Sequence, residues 1–283
     1  MPHEPIMKIF IEIIKSVLII GILTILTQVG GIIYLIYKPI GYQIKKRNSN
    51  KYKSHLIRIL TFSGLMTLFS LIIIPIIARQ FGRVNLPIKS SKEIPLKPAN
   101  ILLIIGNRHY VKPEMKQLII EVSQQINKKY PKTKITYLDA NFPFIDEFPL
   151  LPHRSHDDGE KLDIGFLYKN SNTGKRINKL PTMLGYGYSE QPRKGEYDQI
   201  KKCEEQGYWQ YGFMSKITKE KKRYEFDEEA NKYLISQIIR DKRTGKIFIE
   251  PHLKNRLGFS GQNKVRFHGC KSVRHDDHIH LQL

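Results

Sequence analysis

Cysteine is nearly missing from these 283 residues: there are two, Cys203 and Cys270, and neither has a second cysteine at CxxC spacing. A closed structural zinc site, which normally uses thiolates, is therefore disfavoured, and the pair leaves open one disulfide in an oxidising compartment or two free thiols. Phosphate-binding glycine loops are missing as well, since neither GxGxxG nor GxxxxGK[ST] occurs, and no internal repeat is present. Acidic residues are scarce in the first third. Residues 1–92 hold 13 of the 47 lysines and arginines but only two carboxylates, Glu4 and Glu12, and the remainder of the chain accounts for about half of the net charge of +21. Such an excess suits anionic lipid, wall polymers or nucleic acid, or is plain solvated surface.

What the first third has instead is length without charge. Val17 to Tyr37 is a run of 21 uncharged residues and Ile59 to Ala78 a run of 20, each long enough to cross a hydrocarbon core of roughly 30 Å as a helix. A cleaved signal sequence has a shorter apolar region ending in small residues, whereas the first run ends in Tyr34, Leu35, Ile36 and Tyr37. Two transmembrane helices are expected within residues 1–84. The loop between them carries Lys38, Lys45, Lys46, Arg47, Lys51, Lys53 and Arg58 with no acidic residue, against Arg79, Arg83, Lys89 and Lys92 after the second run. Seven against four places the loop in the cytoplasm and both chain ends outside. A domain facing the periplasm or cell exterior rarely meets nucleic acid, so nucleic acid is not expected as a partner.

Residues 85–100, with Pro87, Pro95 and Pro98, read as an extended tether, and residues 101–283 as the external domain. Ile101 to Ile105 is strand-like. Pro113 opens a helix in which Met115, Leu118, Ile119, Val122 and Ile126 repeat at helical spacing until Pro131. Strands are expected at Ile135 to Leu138, Leu162 to Tyr168 and Lys246 to Glu250, with Asp227 capping a helix through Arg240. Tyr186 to Tyr211, rich in glycine, tyrosine and charge, reads as a long functional loop.

Five of the ten histidines fall in two clusters: His153 and His156 in LPHRSHDDGEKLDIGF, and His275, His278 and His280 in the closing VRHDDHIHLQL. Alternation in the second makes a half-buried strand, with His278, His280 and Gln282 on one face and Ile279, Leu281 and Leu283 on the other. Gly159 permits a turn between His156 and Asp163, so a loop imidazole and a strand carboxylate can converge. Two imidazoles and a carboxylate, His156, Asp163 and His280, form a catalytic type of zinc site with a position left for water. Taken singly, each group has a duller explanation as a surface histidine or a solvated carboxylate.

The spacing His, six residues, Asp, then His-x-His resembles the LAS group of zinc peptidases, which covers lysostaphin-type enzymes, D-Ala-D-Ala peptidases and the hedgehog signalling domain. Within it the chain looks most like the penicillin-insensitive murein endopeptidases, whose further positions are matched by His153, Gly159 and His275. The likeness covers about residues 150–283. It departs at Glu160, Lys161 and Leu162, where the family has a small apolar stretch, and at Gln282, where it usually has arginine. The resemblance implies an α+β domain on a small antiparallel sheet with flanking helices, a zinc ion on His156, Asp163 and His280, and peptidoglycan cross-links as substrate. It implies a proton-transfer role for His275 or His278 and a substrate-orienting or supporting one for His153. A non-catalytic zinc module that binds wall or protein is the rival from another class. A D,D-carboxypeptidase or dipeptidase is a second, but that branch carries Glu-x-x-His where this chain has Asp277 and His278. The sequence carries no signal of oligomeric state.

Overall fold

The computed structural model describes residues 3–211 and 223–283. Its first part is a bundle of apolar helices: α1 (His3–Thr27), α2 (Gly30–Arg47) and α3 (Lys51–Leu68), the last continuing through a π turn at Phe69–Ile73 into α4 (Ile74–Ala78). Pro75 explains the π turn, because a proline ring displaces the carbonyl one turn before it and the wider turn makes room. Two stretches, Met7–Thr27 and Lys51–Phe81, are long and apolar enough to cross a membrane. The expected single helix over 17–37 is instead broken at Gln28, whose φ of 65° reverses the chain. Glycine lets the reversal close tightly: a Cβ on Gly31 would lie 2.2 Å from Thr24 Oγ1, so only bare backbone brings α2 flush against α1. Phe62 of α3 meets the rings of Tyr34 and Tyr37, and Arg58 Nε donates to Tyr37 OH at 3.3 Å, which sets α3 antiparallel to α2. The start of α1 and the basic turn before α3 thus share one end of the bundle, and Gln28 and Ala78 the other. This arrangement departs from the expected topology, in which the chain start and the basic loop lie on opposite sides.

The rest of the chain sits on the Gln28 end. Tyr110 packs with Val29, Ile33, Met66, Ile74 and Ala78, and the Gln28 amide takes the Phe144 N–H at 2.9 Å and gives to the Ile145 carbonyl at 3.3 Å. The expected tether over 85–100 does not exist as such. Val84–Asn85 (β1) pairs with Tyr110–Val111 (β3), Leu96–Pro98 (β2) joins the main sheet, and Leu86 and Leu96 are fully buried. Prolines fit there because β2 is a sheet edge, where a missing donor costs little.

The main sheet has six strands in the order β10-β9-β11-β5-β4-β2, formed by Ile135–Tyr137 (β4), Lys161–Gly165 (β5), Lys246–Phe248 (β9), Val265–Arg266 (β10) and His278–Gln282 (β11) with β2. It is mixed, antiparallel in the centre and parallel at both edges, where an all-antiparallel sheet was expected. Tyr168–Asn170 (β6), Arg176–Ile177 (β7) and Tyr224–Phe226 (β8) make a second sheet, so the expected strand over 162–168 is two strands in different sheets. Residues 102–105 form a short helix, α5 (Leu102–Ile105), not a strand; its first N–H is taken by the Asn100 side chain at 3.0 Å, and an apolar run of five carries no periodicity to tell the two apart. Two helices, α6 (Pro113–Lys129) and α8 (Glu228–Arg240), cover one face of the main sheet, the second capped as expected by Asp227 through the Ala230 N–H. Leu162, Ile164, Ile279 and Leu281 pack in that core with Met115, Leu118, Leu234 and Ile235. Because strand side chains alternate, Asp163, His278 and His280 project from the opposite face. The 186–211 segment is largely irregular, with a short helix, α7 (Gln199–Glu205), and is fastened by a Cys203–Cys270 disulfide.

Candidate metal centre

Register places the first two groups. His280 on β11 lies directly opposite Asp163 on β5, and the imidazole Nδ1 is 2.8 Å from Asp163 Oδ1. The third comes from the loop before β5, where His156 Nδ1 meets the Ala140 carbonyl at 2.8 Å and so donates to it, leaving Nε2 with its lone pair facing inward. His156 Nε2 is 3.1 Å from His280 Nδ1 and 3.2 Å from Asp163 Oδ1. Three donor atoms thus form a nearly equilateral triangle. A tetrahedral zinc ion with bonds of about 2.0–2.1 Å holds its ligands about 3.3 Å apart, close to what these atoms already adopt. Gln282 lies on the other side of the ring, its amide Nε2 3.0 Å from His280 Nε2. All three side chains are buried.

His153 joins the cluster more closely than a supporting role requires. Its Nδ1 lies between two carboxylates, 3.0 Å from Asp139 Oδ2 and 3.3 Å from Asp163 Oδ2, and His153, His156 and Asp163 form a buried group able to hold a metal ion. Arg108 grips Asp139 through two bonds of 2.7 and 2.8 Å, and Tyr186 OH donates to Asp163 Oδ2 at 2.7 Å. Burial opposes the Asp139 charge, but the His153 and Arg108 contacts overcome it and bring its pKa down to about 2. Asp163 behaves alike: burial resists its charge, yet His156 and His278 hold it well below the usual carboxylate range.

The two remaining histidines of the closing cluster flank the triangle. His278 Nδ1 is held by Asp277, whose other oxygen takes the Gly187 N–H, while His278 Nε2 has no hydrogen-bond partner and stands 3.7 Å from Asp163 Oδ2. Burial works against charge on this ring, but Asp163 and Asp277 override it and push the pKa up to about 9. His275 is held uncharged, chiefly by burial and then by His278 and His280 beside it. A cavity of about 320 Å³ is lined by His156, Asp163, His280, His275, His268 and Lys271. A second, of about 460 Å³, is walled by Leu102, Leu103, Tyr186, Trp209, Asp277 and His278, and the two share Pro152, His153 and Val273.

Every expected site residue, His153, His156, Asp163, His275, His278 and His280, therefore meets in one place. Sequence reasoning missed Asp139, Arg108 and His268; Asp139 directly follows the β4 region, and a carboxylate there is the one local signal that could have pointed to it. Tyr186 lies at the start of the segment marked as a functional loop. Among protein-family models and curated proteins, nothing matches this chain.

Proposed function

We propose that the chain is a membrane-anchored zinc peptidase that hydrolyses peptide cross-links of peptidoglycan on the outer side of the cytoplasmic membrane. The observation that carries the reading is the triangle of His156 Nε2, Asp163 Oδ1 and His280 Nδ1, with His275 and His278 on its flanks. Imidazole and carboxylate without thiolate is the donor set of an open, reactive zinc site rather than a closed structural one. His153 belongs to the same buried group, and we assign it to the substrate side because its Nδ1 is already engaged between Asp139 and Asp163.

When bound, zinc supplies a Lewis acid and makes water acidic enough to react near neutral pH. The chain supplies the proton traffic. Asp277 orients His278 through Nδ1, and the unpartnered Nε2, protonated near neutral pH, is the atom that gives its proton to the leaving amine and recovers one from the attacking water. His275 lines the same cavity as the ligands, as an uncharged ring. The shared wall of the two cavities lets an extended peptide lie past His153, with Tyr186 and Arg108 fixing the carboxylates around it.

The test is release of muropeptides from purified sacculi by the full chain in detergent, beside its zinc content. Cleaved cross-links with about one zinc per chain support the reading. Loss of terminal D-Ala alone would point to the carboxypeptidase alternative, and zinc without any product to a binding module.

A further inference from the structure

The short helix α5 rests against the wall of the second apolar helix at Phe69–Ile73, well inside the stretch long enough to cross a membrane. Three of its neighbouring side chains have nothing to cover them: Ile101 is 64% exposed, Leu102 54% and Ile105 41%. Asn100, at the start of the same turn, donates to the carbonyls of Met183 and Leu184 at 3.4 and 3.5 Å, which brings Met183, 80% exposed, and Leu184 into the same patch. Leu102 and Leu184 also line the 460 Å³ cavity, and Trp209 closes its rim at 72% exposure. Exposed apolar side chains gathered in this way, continuous with a helix surface made for lipid, do not belong in water. Tryptophan at the edge of such a patch is the residue that favours the boundary between headgroups and acyl chains.

We propose that α5 and the 183–184 turn sit in the outer leaflet of the bilayer, so that the mouth of the apolar cavity beside the metal centre opens at the membrane surface. The partner of this surface is lipid. The inference rests on the reading that the apolar helices cross the bilayer, and it goes beyond it, because an anchor alone leaves the domain free of the lipid. Peptide reaching the metal through this cavity travels along the bilayer plane.

Trp209 is the only tryptophan in the chain, so its fluorescence reports this rim alone. The full chain is placed in vesicles of phosphatidylcholine and phosphatidylglycerol whose acyl chains carry bromine either near the headgroup or near the chain terminus. The expected result is loss of most Trp209 emission with the shallow bromine, a smaller loss with the deep one, and recovery of emission in the Leu102→Glu variant with its zinc content unchanged. A second variant separates the two readings: Ile72→Trp in a Trp209→Phe background puts the reporter on the exposed face of the π turn. Quenching of that tryptophan with none at Trp209 would overturn the lipid-seated rim and leave the spanning helices standing. Quenching at neither would overturn both.

Discussion

Asp163 and His280 are direct neighbours across antiparallel strands, with imidazole Nδ1 2.8 Å from the carboxylate. Their meeting is a matter of register. A slip of one residue between β5 and β11 would turn both side chains into the helix-packed core and bring Leu162, Ile164, Ile279 and Leu281 to the site face. The apolar alternation that fills the core therefore also aligns the ligands.

Removing a ligand and removing a proton carrier have different signatures. His156→Ala, Asp163→Ala and His280→Ala each leave two of the three donors and should strip the metal and abolish activity together. His275→Ala and His278→Ala should keep close to one zinc per chain, with His278→Ala slowing cross-link hydrolysis by roughly 10²- to 10⁴-fold. Zinc by atomic emission beside muropeptide release checks this, with circular dichroism to confirm folding. Metal loss in His278→Ala with retention in His280→Ala would reverse the assignment.

Gly159→Ala tests the ligand loop. Gly159 has φ of 81°, and a Cβ there would come within 2.6 Å of Arg83 Nε. The left-handed backbone alone costs about 1–2 kcal/mol for a residue with a Cβ, before Arg83 is displaced. A lower melting temperature and a lower zinc content are expected in one sample. A variant as stable and as metal-loaded as the parent would show that this turn does not hold His156 in place.

Acid should weaken the fold through His109. This ring is buried against Tyr110 with Nδ1 at 3.3 Å from the Leu103 carbonyl, and burial pushes its pKa down to about 4. The unfolded chain takes up a proton near pH 6.5 and the folded one only near 4, so the unfolded state binds more protons between them. Stability from this group is complete above about pH 6.5 and is lost as pH falls towards 4, by about 3 kcal/mol in all. Denaturant titrations from pH 7 to 4 should show a shallower fall for His109→Phe than for the parent. Equal slopes would remove His109 as the cause.

Topology follows from the bundle. A reporter active only outside the cytoplasm should work after Leu283 and fail both in the basic turn at residues 48–50 and at the chain start, because those two share one end of the helices. The basic residues around that turn are the reason to expect it inside. Activity at the chain start would break the antiparallel arrangement of α1 and α2.

The closing histidines were legible because a strand announces itself by alternation, and HIHLQ has nothing to interrupt it. His156 and Asp163 were legible because the turn between them is short and carries its glycine. The apolar run over 17–37 misled because hydropathy averages over Gln28, Gly30 and Gly31, whose meaning is conformational rather than apolar. Residues 85–100 misled in the opposite sense, since three prolines hid Leu86 and Leu96, which fill the core. Asp139 and Arg108 belong to no spaced motif, and Tyr186 stood out only as the start of a long loop. They converge from distant segments, and only the folded chain makes them neighbours.

Arg83 emerges from the membrane-side helix two residues after Phe81 and runs fully buried beneath the loop that joins two metal ligands. Its guanidinium donates to the Phe142 carbonyl at 2.7 Å, pairs with Asp146, and lies under Gly159, midway between His156 and Asp163. If that helix crosses a bilayer as proposed, any tilt or piston movement of it would be delivered as a mechanical load to the chain between His156 and Asp163, and the candidate metal centre would act as a strain gauge for the membrane.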